Sequence, residues 1–124
     1  MEKEYTGNSI RFLSQGAEKA LILEEADKEV ITVSLSGELT GEVANVLLDE
    51  MTALIVAGQG LVVNLEKTVY ISASVMEVLL RMEKRLETKN KYMRIIQVSP
   101  EIYGEFKARG LHELLDIEVK KNDL

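Results

Sequence analysis

Apolar and polar positions along the chain repeat with two different periods, and these periods predict where strands and helices lie. VITVSLSG, residues 30–37, places three aliphatic side chains on one side of a strand and three hydroxyl side chains on the other, and Gly37 is expected to close the strand. Because successive strand side chains point to opposite faces, this pattern predicts one covered face and one wetter face. ALILEE, residues 20–25, predicts a preceding strand, and the almost wholly apolar LVVNL, residues 61–65, predicts a strand at the centre of a sheet.

Two longer segments carry apolar residues at helical spacing. Residues 42–57 and residues 74–88 each predict a helix with one apolar stripe, and Gly58 is the candidate C-terminal cap of the first. On the outer face of the second helix, Glu77 and Arg81 lie four residues apart in the order that favours an ion pair. The predicted stripes are Val43, Leu47, Met51 and Leu54 in the first helix and Val75, Leu79, Met82 and Leu86 in the second.

The last part of the chain predicts a strand, a helix and a closing segment. YMRIIQV, residues 92–98, predicts the strand. The sequence SPE at residues 99–101 predicts a helix start, because serine caps, proline fits the first turn and glutamate faces the positive helix end. The helix is expected to end at Arg109 and Gly110, and LHELLDIEV then predicts a short turn and a last strand.

The order of these elements predicts an α/β fold. Helices lie between strands in the middle of the chain, so those strands should be parallel and joined by right-handed crossovers. In such sheets the functional loops gather at the carboxyl ends of the strands. The segment YISASVMEVLL, residues 70–80, crosses one of these places, because it completes the predicted loop EKTVYISA and opens the second helix.

Length and composition are those of one soluble globular domain. The chain has 124 residues, of which 46% are hydrophobic and 29% charged. Residues 1–17 are polar with turn signals, so we expect a loosely attached arm, within which SIRFL can form a short strand. Residues 18–124 are the predicted domain.

The charge distribution narrows the class of partner. The formal net charge is -6, and the basic residues are spaced singly among glutamates, which argues against nucleic acid and against an anionic membrane surface. The sequence also offers no membrane-spanning run and no signal-peptide pattern. We therefore expect a cytoplasmic protein that binds other proteins.

Residues for catalysis or for holding a cofactor are hard to assemble from this sequence. The chain has no cysteine and one histidine, His112, for which we expect a surface or half-buried position rather than a metal site. No glycine-rich phosphate-binding motif is present. The sequence predicts a protein that is not an enzyme and needs no cofactor.

Two serines surround an alanine where the second helix begins. Ser74, followed three residues later by Glu77, fits the capping box, but this leaves Ser72 without an explanation. A phosphate on a serine here would carry about -1.5 to -2 charges. It would be stabilised at the helix amino terminus and would repel a partner that docks there. Ser72 and Ser74 are therefore candidate phosphoacceptors.

Three stretches resemble the STAS domain, in particular the bacterial anti-sigma-factor antagonists, over roughly residues 18–120. ITVSLSGELT is similar to the second strand of the family and its Gly-Glu-Leu turn. SPEIYGEFKARGLHELLDI is similar to the family's run from Ser-Pro-Glu through Gly-Leu to the closing leucines, and is the most specific match. LVVNLEKTVYISASVMEVLL is similar to the segment in which a strand, a loop ending in Tyr-Ile and an Asp-Ser-Ser-Gly motif open a helix.

The resemblance implies a STAS-like small mixed β-sheet with helices mainly on one face, and a protein-binding module without catalysis. Such members dock on an anti-sigma factor, often a serine kinase, and so release a sigma factor by partner switching. The family's acceptor serine falls on Ala73, its motif aspartate on Ser72 and its strand aspartate on Asn64. Because Ala73 has no hydroxyl, either a neighbouring serine has taken over or the module docks without being switched there, and we favour the second.

The resemblance thus implies an anti-sigma-factor antagonist whose partner is an anti-sigma factor or a related serine kinase. The alternative is a STAS module that senses a ligand or nucleotide, or serves as a scaffold, with an anion bound at the second helix. Met76 is expected to supply an apolar contact, and Thr40 and the serines hydrogen bonds. The predicted docking residues are Glu38, Leu39, Thr40, Ser72, Ala73, Ser74 and Met76.

Overall fold

A mixed β-sheet organises the molecule. The computed structural model describes residues 8–12, 20–26, 30–56 and 60–121. The strands within these ranges are β1 (Asn8–Phe12), β2 (Leu21–Ala26), β3 (Val30–Leu39), β4 (Gly60–Asn64), β5 (Thr68–Ile71), β6 (Met93–Val98) and β7 (Asp116–Val119). The helices are α1 (Gly41–Val56), α2 (Ala73–Glu87) and α3 (Pro100–Ala108), and a 3-10 turn follows at Leu111–Glu113.

The strand order confirms the predicted α/β class. The sheet runs β1-β2-β3-β4-β6-β7, and β5 pairs with the far end of β3. Strands β1, β2 and β3 are antiparallel neighbours, whereas the pairs from β3 onwards are parallel. Each helix connects two parallel strands, as the alternation of patterns predicted.

The core lies between one face of the sheet and the helices. All eight residues of the two predicted helix stripes are buried, and so are Ile31, Val33 and Leu35 of β3. The hydroxyl residues between them are only partly covered. The period of the sequence therefore identified the buried face of β3, α1 and α2 correctly.

The end of β3 differs from the expectation that Gly37 closes the strand. Gly37 has a φ of 89°, and the register shifts between Gly37 and Glu38. The Gly37 amide donates a hydrogen bond of 2.9 Å to the Lys67 carbonyl. The glycine bends the strand rather than ending it, because it adopts a left-handed conformation that side chains disfavour. Beyond it, β3 leaves β4 and pairs with β5 as far as Leu39.

The segment EKTVYISA was predicted as a loop, but residues 68–71 form β5. The pattern concealed this strand because its two central residues are both exposed while its two end residues are buried, so it does not alternate. The buried Thr68 hydroxyl donates a hydrogen bond of 2.7 Å to the Leu35 carbonyl. Pairing with β3, rather than a local apolar period, defines this strand.

The helix boundaries agree with the sequence within one residue. Ser99 caps α3 by accepting a hydrogen bond of 3.2 Å from the Ile102 amide, and Arg109 is the C-cap, followed by Gly110 with a φ of 72°. The candidate cap Gly58 lies outside the described residues. Within the predicted arm, residues 8–12 form β1, and the division at residue 17 stays a prediction.

Candidate functional site

The end of β3 and the start of α2 lie side by side. Strand β5 brings them together, since Tyr70 pairs with Glu38 and Ile71 pairs with Leu39. The Ser72 amide then donates a hydrogen bond of 2.9 Å to the Leu39 carbonyl. The two segments proposed from the sequence as parts of one docking surface are therefore neighbours.

The amino ends of α1 and α2 also meet at this place. Helix α1 begins after Thr40, whose carbonyl accepts a hydrogen bond of 3.0 Å from the Val43 amide. A Cβ atom added to Gly41 would lie 3.5 Å from the Ser74 Oγ. We use the term rim for the accessible residues gathered here: Glu38, Thr40, Val69, Tyr70, Ser72, Ala73 and Ser74.

The serine that caps α2 is Ser72, and the capping role assigned to Ser74 was wrong. The Ser72 Oγ accepts a hydrogen bond of 3.3 Å from the Val75 amide, and the Ser72 carbonyl accepts the first helical bond, 3.1 Å, from Met76. Ser74 lies inside the first turn with its side chain exposed. The helix begins two residues earlier than the capping-box pattern indicated, because the pairing of Ile71 with Leu39 fixes where β5 ends.

Two of the predicted docking residues are not available at the surface. Met76 and Leu39 are fully buried and belong to the hydrophobic core. Met76 lies on the inner side of α2 next to the predicted stripe residue Val75, and Leu39 occupies the inner side of β3. The expectation that Met76 supplies an apolar contact at the surface is corrected by this burial.

The rim has apolar side chains that the sequence did not identify. Val69 is 68% exposed and Tyr70 is 51% exposed, although both belong to a strand. The available signal was that EKTVYISA contains a valine next to a tyrosine in a segment otherwise predicted as a loop. Large apolar side chains in an exposed loop are candidates for contact with a partner.

The turn that leads into the rim is fixed by side-chain hydrogen bonds. The Asn64 Oδ1 accepts a hydrogen bond of 2.8 Å from the Glu66 amide, which stabilises the start of the turn between β4 and β5. The Thr68 amide donates a hydrogen bond of 3.1 Å to the Leu65 carbonyl at its end. At the position of the family's strand aspartate, Asn64 therefore has a structural role.

Titratable side chains away from the rim have identifiable surroundings. His112 is half-buried, and its ring stands edge-on to Tyr103 with centroids 6.4 Å apart. Burial raises the pKa of the Glu83 carboxyl, and a hydrogen bond of 3.2 Å from the Met93 amide opposes this effect.

Among the described residues, no group of three or more His, Cys, Asp or Glu side chains could hold a metal ion. None of the helices in the described ranges is both long enough and apolar enough to cross a membrane.

Comparison with solved structures gives the fold a family context. An anti-sigma factor antagonist from Mycobacterium paratuberculosis is similar with a TM-score of 0.71 and 19% identity, covering 89% of this chain and 86% of that chain. SpoIIAA, an anti-sigma factor antagonist in its unphosphorylated form, gives a TM-score of 0.69 and 18% identity over 77% of this chain and 86% of its own. The Bacillus cell fate determinant SpoIIAA in its phosphorylated form gives a TM-score of 0.63 and 19% identity over 77% of this chain and 89% of its own.

The sequence comparison agrees with this fold. No curated protein matches the chain. The family model described as "Mlab, STAS domain" matches residues 22–116, which is most of the chain. This match covers β2 to the start of β7 and includes every rim residue. The chain therefore belongs to the STAS domain family.

Proposed function

We propose that this protein is a non-catalytic binding module of the anti-sigma-factor-antagonist type, which docks through the rim on an anti-sigma factor or a related serine kinase. Docking would release a sigma factor in the cytoplasm. The proposal is supported by the STAS fold and by the similarity to structures described as anti-sigma factor antagonists. It is also supported by the net charge of -6, which argues against nucleic acid as the partner.

The observation that carries the proposal is the chemistry of the rim. Val69 and Tyr70 expose apolar area on β5, and the rim also contains the small side chain of Ala73 and the hydroxyl groups of Thr40, Ser72 and Ser74. Interfaces commonly combine an apolar centre containing an aromatic side chain with a polar border. At Ala73 a partner can approach closely, because the side chain is small and uncharged.

The test is capture of candidate anti-sigma factors by the wild-type protein and by Ala73→Glu. A carboxylate at this position of the rim would have to be desolvated on docking, so we expect binding to weaken by about tenfold or more. Ala53→Glu is the matched control, since Ala53 is an exposed alanine on α1 about 18 Å along the helix from Gly41. A demonstrated complex that tolerates both variants equally would show that the partner docks elsewhere.

Phosphorylation at the rim is a separate proposal about the candidate acceptors Ser72 and Ser74. Ala73 has no hydroxyl, so we propose that docking proceeds without a switch at that position. Of the two serines, Ser74 is the better acceptor, because its side chain is exposed whereas the Ser72 Oγ caps α2. Incubation with the cognate kinase and mass spectrometry of wild type, Ser72→Ala and Ser74→Ala tests this. Phosphate that is lost only in Ser72→Ala, or that is found only on distant residues, contradicts the preference for Ser74.

A further inference from the structure

We propose that the groove between α2 and the end of α3 binds an acidic, amphipathic segment of the partner protein. This inference rests on the proposed function, because it extends the contact from the rim along α2. The occupant has apolar side chains that contact the floor of the groove and carboxylates that meet the cations on its walls.

The groove has an apolar floor and a size suited to peptide side chains. Its volume is about 460 Å³. Ala73, Leu80 and Leu111 supply the apolar lining, with Leu80 half-buried and Leu111 almost fully buried. An open groove that combines apolar area with charged walls is the form in which proteins receive the apolar face of an amphipathic helix.

The walls are predominantly basic although the whole protein is acidic. Arg81, Lys84 and Arg109 line the groove, with Glu77 as its one carboxylate, in a chain of net charge -6. An acidic partner segment is repelled by the molecule as a whole and attracted at this groove. Charge complementarity of this kind directs a partner to one site and one orientation.

The contacts of the arginine side chains on and near α2 support a binding role for the basic wall of the groove. Arg85 donates a hydrogen bond of 3.1 Å to the Thr52 Oγ1, and Arg94 lies 3.3 Å from the Asp116 carboxylate. Arg81 forms no ion pair or hydrogen bond with the described residues, and the pair that its spacing from Glu77 predicted is not formed. Its guanidinium is therefore available to a carboxylate of another molecule.

The positions of the charges favour an extended occupant over a small anion. Arg81 and Lys84 are three residues apart on one face of α2, and Arg109 faces them from the end of α3. Arg109 already lies 3.2 Å from the Glu105 carboxylate, which offsets its charge, so Arg81 and Lys84 on α2 supply most of the positive potential of the groove. From Ala73 to Lys84 the groove follows α2 for about 16 Å, a length that a helical segment of about 11 residues matches.

The groove is continuous with the rim, which determines how the partner would lie. Ala73 lines the groove and belongs to the rim, and the groove leads away from it towards the carboxyl end of α2. A partner that presses on Val69 and Tyr70 can therefore place an adjoining acidic segment along Leu80. One partner would use both surfaces.

The test measures binding of a fluorescein-labelled peptide of about 12 residues, with Glu and Leu at helical spacing, to the full chain by fluorescence anisotropy. We expect binding that weakens between about 50 and 300 mM NaCl, because the charges are exposed. Arg81→Glu/Lys84→Glu should weaken it by about tenfold or more. The matched control Lys89→Glu/Lys91→Glu makes the same change of net charge at exposed lysines after α2 and should alter affinity by less than about twofold. Circular dichroism checks that each variant is folded.

Several outcomes would overturn the proposal. These are no binding by the wild type, equal weakening by the two double variants, or equal binding of a peptide with Ser in place of Leu. Inorganic phosphate or ATP that binds the wild type and displaces the peptide, with both effects lost in Arg81→Glu/Lys84→Glu, would identify a small-anion site instead.

Partner capture separates failure of the groove from failure of the rim. Tyr70→Ala changes the rim outside the groove lining. If Tyr70→Ala loses the captured anti-sigma factor while the groove variant retains it, the rim is supported and the groove is overturned. If the groove variant loses both peptide and partner while Tyr70→Ala loses neither, the groove is supported and the docking position proposed above fails.

Discussion

Ser72 and Ser74 differ in what their hydroxyl groups contact, although only Ala73 separates them. The Ser72 Oγ accepts a hydrogen bond from the Val75 amide, and the Ser72 amide donates one to the Leu39 carbonyl at the end of β3. Ser72 therefore joins the cap of α2 to the sheet. Ser74 is exposed in the first turn, and the structure gives its Oγ no hydrogen bond within the described residues. The two hydroxyl groups should therefore differ in their effect on stability.

Removing each hydroxyl tests this difference. Ser72→Ala should lower the free energy of unfolding by about 1 kcal/mol, because one amide at the start of α2 loses its acceptor. Ser74→Ala should change it by less than about 0.5 kcal/mol, since the side chain is exposed and alanine favours a helix. Urea unfolding followed by circular dichroism measures both. A larger loss in Ser74→Ala would contradict the observed cap.

The sequence predicted a cap at this helix but selected the wrong serine. Glu77 three residues after Ser74 satisfies the local capping-box pattern, whereas the start of α2 is set by the long-range pairing of Ile71 with Leu39. A similar limit applies to Gln97, which has a φ of 58° where β6 shifts its register against β7. Glutamine gives no local signal for such a bulge, so this residue could not be predicted from its neighbours.

At the level of elements, Glu83 lies where α2 contacts β6, and burial there makes the charged form of its carboxyl group less favourable. Burial raises the pKa of Glu83 from its ordinary 4.5, the Met93 amide lowers it through a hydrogen bond, and the charges of Glu87 and Asp116 raise it further. The folded state therefore keeps the Glu83 proton to a higher pH than the unfolded state. Stability must fall as the pH rises through the interval between the two values.

Glu83→Gln should remove this pH dependence. The amide oxygen can still accept the Met93 hydrogen bond, and the uncharged side chain avoids the cost of burial. Above the raised pKa the variant should be more stable than wild type by less than about 1 kcal/mol, because the side chain is only half-buried. Below about pH 4.5 the gain should vanish.

Denaturant unfolding at a series of pH values measures this difference. Glu113→Gln, which removes the same charge from an exposed position after α3, is the control. If the gain in Glu83→Gln were constant across the pH range, or equal in the control, Glu83 would not be the group responsible.

The elements that the sequence predicted well are those whose burial follows a local period. The stripe of α2 and the alternation of β3 each repeat over several turns or residues, and both are buried as expected. Strand β5 has four residues, and its exposed pair Val69 and Tyr70 interrupts the alternation. The sequence could predict the part of the rim at the start of α2, because a helix start has local signals. It could not predict the apolar part, Val69 and Tyr70, because these residues lie on a strand that is defined only by its pairing with β3.

For the whole molecule, the pairing of β1 with the sheet determines how much of the chain folds as one cooperative unit. Strand β1 pairs with β2 over five residues, from Asn8 opposite Glu25 to Phe12 opposite Leu21. It therefore occupies the edge of the sheet next to β2, whose Ile22 is part of the buried core. Without β1, the backbone groups on that side of β2 would form an open, largely apolar edge.

Deletion of residues 1–17 should therefore destabilise the domain and promote self-association. We expect the free energy of unfolding to fall by about 2 kcal/mol, and size-exclusion chromatography to show larger species as β2 edges pair between molecules. Deletion of residues 1–7 is the matched control, because it keeps all five residue pairs between β1 and β2. If the longer deletion were as stable and as monomeric as the control, the sheet would not depend on β1. The division of the chain at residue 17 would then be supported, and the cooperative unit would begin with β2.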